Sequence, residues 1–252
     1  MIMEIKKYKK EADYSYSLGA FPTFELIDAR PADVIGIVTT HDFSDKERLR
    51  DKCREAYAAG KTGHSIEVTE NDRLIEKLSD KENVYAVGIF SKYEMKLAQD
   101  KPHVVLVNPS NMGNLGTIIR TACGFGIEDI AIIGNSADMF NPKVVRASMG
   151  AIFRIRMECF ENYGDYASRF CGGGRQIFTF MLNGRKQLKL SDCPQARLYS
   201  LVFGNEATGL PDEYLDYGTS IIIPQTESVD SLNLTIAAGI GMYVFTQKSV
   251  DF

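Results

Sequence analysis

The stretch from Val104 to Gly134, VVLVNPSNMGNLGTIIRTACGFGIEDIAIIG, leaves room for few folds. Val104–Asn108 is a short apolar run, the pattern of a buried β-strand. Pro109–Gly113 gathers Pro, Ser, Asn and Gly, the residues of a tight loop. Asn114 suits the N-cap of the helix that follows, because its side-chain oxygen can accept a first-turn amide. In that helix Leu115, Ile118, Ile119 and Ala122 fall at i, i+3, i+4 and i+7 and build one apolar face. At roughly 100° per residue, Arg120 lies nearly opposite, among Gly116, Thr117, Thr121 and Gly124. A long cation on a face cleared of bulk is placed to reach into a cleft. A second strand then closes the unit before Gly134.

The alternation continues on both sides, which argues for an α/β layer fold. Upstream, Val34–Thr39, Ser65–Thr69 and Val84–Phe90 read as strands. Ser44–Ala59 and Asn71–Leu78 read as helices, the first with Leu49, Cys53 and Ala56 inward. Ser91–Pro102 is polar and reads as a linker. Downstream come a strand over Ile152–Met157 with Arg154 and Arg156 on one face, a helix over Tyr163–Phe170 and a strand over Gln176–Leu182. A strand at Ser220–Pro224 and a helix at Leu234–Phe245 complete the series. The 252 residues suit one large or two modest domains, divided here as 1–98 and 103–252.

Composition excludes several classes. No apolar run approaches the roughly 18 residues of a membrane span, and the basic start MIMEIKKYKKEADYS lacks the apolar segment of a secretory leader. The five cysteines, Cys53, Cys123, Cys159, Cys171 and Cys193, are odd in number and scattered, which favours a reducing cytoplasm over a disulfide framework. His41, His64 and His103 show no metal-ligand spacing, so no metal is expected. Net charge is −4 and is balanced on either side of residue 100, so any nucleic-acid surface must be local. Lys6, Lys7, Lys9 and Lys10 read as a solvated tail or first helix before they read as a phosphate-contacting arm. Lys46, Arg48, Arg50, Lys52 and Arg54 alternate with acids and read as a salt-bridged solvent face. Gly172–Gly174 is a turn without the Lys-Ser/Thr ending of a phosphate loop.

Three stretches together carry a family resemblance. The run Asn114-Leu-Gly-Thr-Ile-Ile-Arg120, followed by Thr-Ala and Phe-Gly, resembles the first motif of the SpoU/TrmH RNA 2′-O-ribose methyltransferases, of the SPOUT class. Leu201-Val-Phe-Gly-Asn-Glu-Ala-Thr-Gly-Leu210 resembles the second, with Gly204, Asn205, Glu206, Gly209 and Leu210 in place. The Ser231-Leu232-Asn233 triplet before an Ala- and Gly-rich helix resembles the third. Between them, Lys143, Arg146, Ser148 and Gly150 match a further family stretch. The chain departs from the pattern after Pro224: Gln225 stands where Met is common and Glu227 where Gly is.

The resemblance implies a parallel-sheet α/β domain ending in a trefoil knot, preceded by a smaller L30e-like α/β domain that binds substrate RNA. It implies S-adenosylmethionine held by backbone at Gly204, Ile223 and Leu232, and a ribose 2′-OH of rRNA or tRNA as methyl acceptor. Asn114, Arg120, Glu206, Ser231 and Asn233 are the implied catalytic set. Arg120 matches the arginine that the family assigns to removing the hydroxyl proton. Because a free guanidinium is essentially always protonated, the physical preference is that it orients the hydroxyl or a phosphate and stabilises alkoxide charge. Glu206 would pair with Arg120 or order a water. The resemblance also implies a cytoplasmic homodimer, with the small faces of helices 114–125 and 234–245 as candidate interface, and no membrane or DNA partner. The alternative is a catalytically silent RNA-binding protein that keeps the fold, which Glu227 and the acidic balance favour. A generic Rossmann enzyme ranks last, because no G-x-G-x-x-G follows the first strand.

Overall fold

The computed structural model describes residues 5–79, 83–189 and 198–247. They divide into two compact units, one running to Glu94 and including Asp138–Arg154, the other formed by Met95–Ala137 and the chain from Ile155 onward.

The first unit holds β1 (Tyr14–Leu18), α1 (Ala20–Ala29), β2 (Val34–Thr39), α2 (Lys46–Ala58), β3 (Val68–Glu70), α3 (Asp72–Leu78) and β4 (Ala86–Ser91). Its sheet has the order β1-β4-β2-β3. β4 runs antiparallel to both neighbours, and β2 pairs with β3 in parallel. The strand–helix alternation expected over 34–90 is present, and α2 turns Leu49, Cys53 and Ala56 inward as its periodicity requires. Its outward charges pair among themselves and with neighbours: Arg54 with Asp51, Arg50 with Glu47, Lys46 with Glu70. The basic start forms no first helix. Residues 5–13 form an irregular strap in which the Tyr8 hydroxyl donates to Asp138 and Lys92 Nζ donates to the Lys10 carbonyl at 2.7 Å.

The second unit is built on β5 (His103–Val107), α4 (Met112–Gly124) and β6 (Asp129–Ile133). The next helix in the chain, α5 (Pro142–Ala147), belongs to the first unit and packs against β1. After it come β7 (Arg156–Phe160), α6 (Tyr163–Phe170), β8 (Gln176–Phe180), β9 (Lys186–Gln187), β10 (Tyr199–Phe203), β11 (Thr219–Ile222) and α7 (Leu234–Thr246). The seven strands lie in the order β7-β6-β5-β10-β8-β11-β9, and every pairing is parallel. β5, β6 and β10 are buried along their whole length, as parallel strands covered on both faces must be. Leu115, Ile118, Ile119 and Ala122 of α4 are fully buried, and each large aliphatic side chain among them contributes about 1.5–3 kcal/mol of hydrophobic stabilisation.

One sequence expectation fails here. The strand predicted over Ile152–Met157 starts only at Arg156. Gly150 is left-handed (φ +80°) and leads into a 3-10 turn over Ala151–Phe153, so Arg154 is not on the strand and pairs with Glu25 instead. The polar stretch 91–102, read as a linker, contains the division between the two units after Glu94, and its second half is tied down. Leu97 is buried, its amide donates to Glu158 Oε2 at 3.1 Å, and the Ala98 amide donates to Asp129 Oδ1 at 2.8 Å. Glu158 in turn takes Lys96 and Arg169, and Asp129 takes the Arg156 fork.

At the amino ends of the central strands lies a buried polar cluster. His103 Nδ1 is 2.9 Å from the Tyr166 hydroxyl, which is 2.6 Å from Ser200 Oγ. His103 Nε2 faces the Ala98 carbonyl at 2.8 Å, so the neutral ring carries its proton on Nε2 and accepts from tyrosine on Nδ1. Arg175 donates to the carbonyls of Phe170, Tyr199 and Gln99.

Candidate active site

Ligands of open α/β sheets bind beyond the carboxyl ends of the strands, and a cavity of the second unit lies there. It measures about 320 Å³, within the size class of small-ligand sites. Its apolar wall includes Leu210, Ile221, Ile223, Leu232 and Leu234, and its rim follows the backbone of Gly204–Gly209. Of the residues singled out by sequence, Gly204, Glu206, Ile223, Ser231 and Leu232 line it together. Asn114, Arg120 and Asn233 do not.

Gly204 ends β10 where the chain folds back on itself. Asn205 and Gly209 exchange both backbone hydrogen bonds, which leaves no room beside residue 204. A Cβ there would stand 2.1 Å from the Gly209 carbonyl carbon. Glycine is therefore required by the loop that forms the cavity rim, before any ligand arrives.

The loop after β5 meets the loop after β10 through polar side chains. Asn205 Nδ2 donates to the Asn108 carbonyl at 2.7 Å. Glu206 Oε1 accepts from the Asn111 amide at 3.1 Å and from Asn114 Nδ2 at 3.3 Å. Its Oε2 accepts from the Ser110 amide at 3.1 Å and the Ser110 hydroxyl at 2.9 Å. Burial alone would raise the Glu206 pKa, but its own amide, those of Ser110 and Asn111, and the Ser110 hydroxyl outweigh it and hold the carboxyl below its usual range.

The cap of α4 is Asn111, not Asn114. The Asn111 side chain accepts from the Gly113 and Asn114 amides, and Asn114 sits inside the first turn with its amide turned to Glu206. Asn233 caps α7, accepting from the Thr235 amide at 2.8 Å. Arg120 is exposed on α4 and makes no ion pair among the described residues. Glu206 is committed to the loop and does not pair with it. α4 packs on α7, with Phe125 and Tyr243 rings 6.2 Å apart and Thr121 beside Gly239. The small faces of these helices thus meet partly within one chain. Ile236 and Tyr243 remain exposed on α7.

Ser110, Asn108 and Asn111 were not singled out by sequence. The available signal was a second Asn three residues before Asn114, in a loop already rich in capping residues. Gln225, one of the two departures, lines the cavity and donates to the Asp230 carbonyl at 3.3 Å; Glu227 is not part of the lining. The cysteines 53, 123, 159 and 171 form no disulfide, and Cys193 lies outside the described residues. His41, Asp42 and Asp72 group on the surface of the first unit, and none of them lines the cavity. Among the described residues no helix is long and apolar enough to cross a membrane.

Comparison with known proteins agrees with this geometry. The model of the SpoU rRNA Methylase family matches residues 101–243. The 23S rRNA (guanosine(2553)-2′-O)-methyltransferase of Bacillus subtilis is 30% identical over 152 residues, 60% of this chain and 60% of that protein. An uncharacterized tRNA/rRNA methyltransferase of Synechocystis is 31% identical over 141 residues, 56% of this chain and 51% of that protein. The matched region thus spans about half to three-fifths of these relatives. A solved AdoMet-bound rRNA methyltransferase from Sinorhizobium meliloti superposes with a TM-score of 0.78 at 26% identity, covering 95% of this chain and 89% of that one. With the motif stretches, the parallel sheet and the family match over more than half its length, the chain belongs to the SpoU rRNA methylase family.

Proposed function

We propose that the protein is an S-adenosylmethionine-dependent methyltransferase acting on a ribose 2′-OH of structured RNA, rRNA or tRNA. The observation that carries the reading is the cavity at the carboxyl ends of β8, β10 and β11, where Gly204, Ile223 and Leu232 come together. Apolar walls and exposed loop backbone suit adenine, which needs a flat apolar slot and a few main-chain hydrogen bonds. The named functions of the relatives and the AdoMet-bound neighbour point the same way. The departure at Gln225 leaves the cavity open, and Glu227 stands outside it, so neither favours a silent protein.

When bound, S-adenosylmethionine supplies a methyl group on a positively charged sulfur. As the acceptor oxygen takes the methyl, leaving the sulfur a neutral thioether, the hydroxyl proton passes to solvent. Arg120, exposed and without a carboxylate partner among the described residues, is suited to orient a phosphate or the 2′-OH and to stabilise the developing alkoxide. A guanidinium stays protonated in proteins, so it serves as a positive donor and not as a base. Ser231 at the cavity wall and Asn114 beside Glu206 supply neutral hydrogen-bonding groups, while Asn233 secures the start of α7.

The finer architecture follows the same reading. Residues 103–252 are the SPOUT domain with its C-terminal knot, and residues 1–98 the L30e-like domain that meets RNA. The enzyme works in the cytoplasm as a homodimer, for which the exposed Ile236 and Tyr243 on α7 offer apolar partner surface. The test is transfer of labelled methyl from S-adenosylmethionine to unmodified rRNA and tRNA transcripts, followed by alkaline digestion. A 2′-O-methyl blocks cleavage, so label is expected in alkali-resistant dinucleotides. Label in mononucleotides would mean base methylation. No transfer, with the cofactor bound, would move the reading to the silent RNA-binding protein.

A further inference from the structure

We propose that Glu206 acts as the clamp of the loop that begins the Arg120 helix, and that Ser110 and Asn205 are positioning residues of that clamp. This rests on the methyltransferase reading above and specifies how its site is held.

The geometry is one of saturation. An ionised carboxylate offers about four lone-pair sites. Those of Glu206 are taken by the Ser110 amide and hydroxyl on one oxygen and by the Asn111 amide and Asn114 side chain on the other. A carboxylate so occupied has no lone pair to offer a substrate proton or a water, and its lowered proton affinity runs against a role as general base. What it does hold is a joint. Asn111 gives its amide to Glu206 while its side chain caps the Gly113 and Asn114 amides. The same residue therefore ties the carboxylate to the first turn of α4. A negative charge at that turn is also favoured by the helix dipole.

Asn205 closes the other side. Its Nδ2 donates to the Asn108 carbonyl at 2.7 Å, and its Oδ1 accepts the Ala207 and Thr208 amides at 2.8 and 3.3 Å. The loop that lines the cavity and the loop that launches α4 are thus fastened by two neighbouring side chains. Cofactor cavity and Arg120 helix keep a fixed relation only while both fastenings hold. Ser110 is the one loop residue that gives the carboxylate both its amide and its side chain. Its hydroxyl is the part of the clamp that substitution can remove without touching the backbone.

The experiment compares wild type with Ser110→Ala, Ser110→Thr and Glu206→Gln. It uses S-adenosylmethionine titration, amide hydrogen exchange over residues 108–115, and turnover on an in vitro 23S rRNA transcript across pH. In Ser110→Ala, kcat is expected to fall about tenfold, the size of one lost hydrogen bond to a charged group, with KM for RNA nearly unchanged. Ser110→Thr restores it. Glu206→Gln exposes the Ser110 and Asn111 amides to exchange and lowers kcat further, while the acid limb of the kcat profile keeps its place. Adding Ser110→Ala to Glu206→Gln changes little more, because both act on one contact.

Loss of the acid limb in Glu206→Gln would make Glu206 the base and overturn the proposal. So would wild-type turnover in Ser110→Ala, or unchanged amide protection in Glu206→Gln. A wild type that binds cofactor but methylates no RNA would instead defeat the functional reading, and the exchange data would still decide whether Glu206 holds the loop.

Discussion

At the amino ends of β5 and β10, His103, Tyr166, Ser200 and Arg175 form a polar cluster closed on every side by the core. At the carboxyl ends of the same two strands, Asn108, Asn205 and Glu206 form another, half open to solvent. The first is satisfied by fixed hydroxyls and carbonyls, so its polar groups are spent on holding the core. The second satisfies its carboxylate equally well, yet leaves a cavity beside it and, on the adjoining helix, a cation with no carboxylate partner among the described residues. The difference lies in what stays available after the internal hydrogen bonds are made.

Four substitutions or conditions bear on that contrast. The largest effect is expected at the open end: Arg120→Ala should lower RNA methylation about 100–1,000-fold, as loss of a positioned charge-stabilising donor does, with cofactor affinity unchanged. Equal losses of affinity and turnover would place Arg120 in the cofactor pocket instead.

At the closed end the lever is pH. Burial, with Arg175 beside it, lowers the His103 pKa to about 4, against about 6.5 in the unfolded chain. The unfolded state therefore takes up a proton first on acidification. Stability from this group is complete above pH 6.5 and is lost as pH falls toward 4, by about 3 kcal/mol. Urea midpoints followed over that window should show the slope, and His103→Gln should flatten it.

Gly204→Ala comes third. Its Cβ must displace the Gly209–Leu210 backbone, which should cost about 1–3 kcal/mol of stability and weaken S-adenosylmethionine binding in calorimetry. Asn111→Ala is smallest. Loss of the α4 cap should cost about 1 kcal/mol in thermal or urea unfolding, whereas Asn114→Ala should leave the cap intact.

Local pattern disclosed the elements whose burial follows local chemistry. The α2 face of Leu49, Cys53 and Ala56, the β5–α4 unit and α6 were legible because apolar spacing matched a single environment. β1 was not. Tyr14–Leu18 buries Ser15 and Ser17, whose hydroxyls reach Phe140 and Thr23, so polarity there signals long-range bonding and not a surface. The α4 cap was misplaced by one turn because Asn111 and Asn114 are equally good caps in sequence, and only the chain's direction out of β5 chooses between them. Residues 138–154 join the first unit through partners such as Tyr8 for Asp138 and Ser15 for Phe140, 130 and 125 positions away, beyond any local signal. In the site, Gly204, Ile223 and Leu232 are scattered in sequence, and only the family resemblance grouped them before the sheet did. Ser110 carried no mark at all, since its importance lies in a partner 96 positions on.

The most direct test is calorimetric titration of S-adenosylmethionine into wild type and Arg120→Ala. Binding of similar affinity in both is expected, since the cavity is built from Gly204, Ile223 and Leu232 and Arg120 stands outside its lining. No binding to folded wild-type protein would contradict the assignment of that cavity and, with it, the methyltransferase reading.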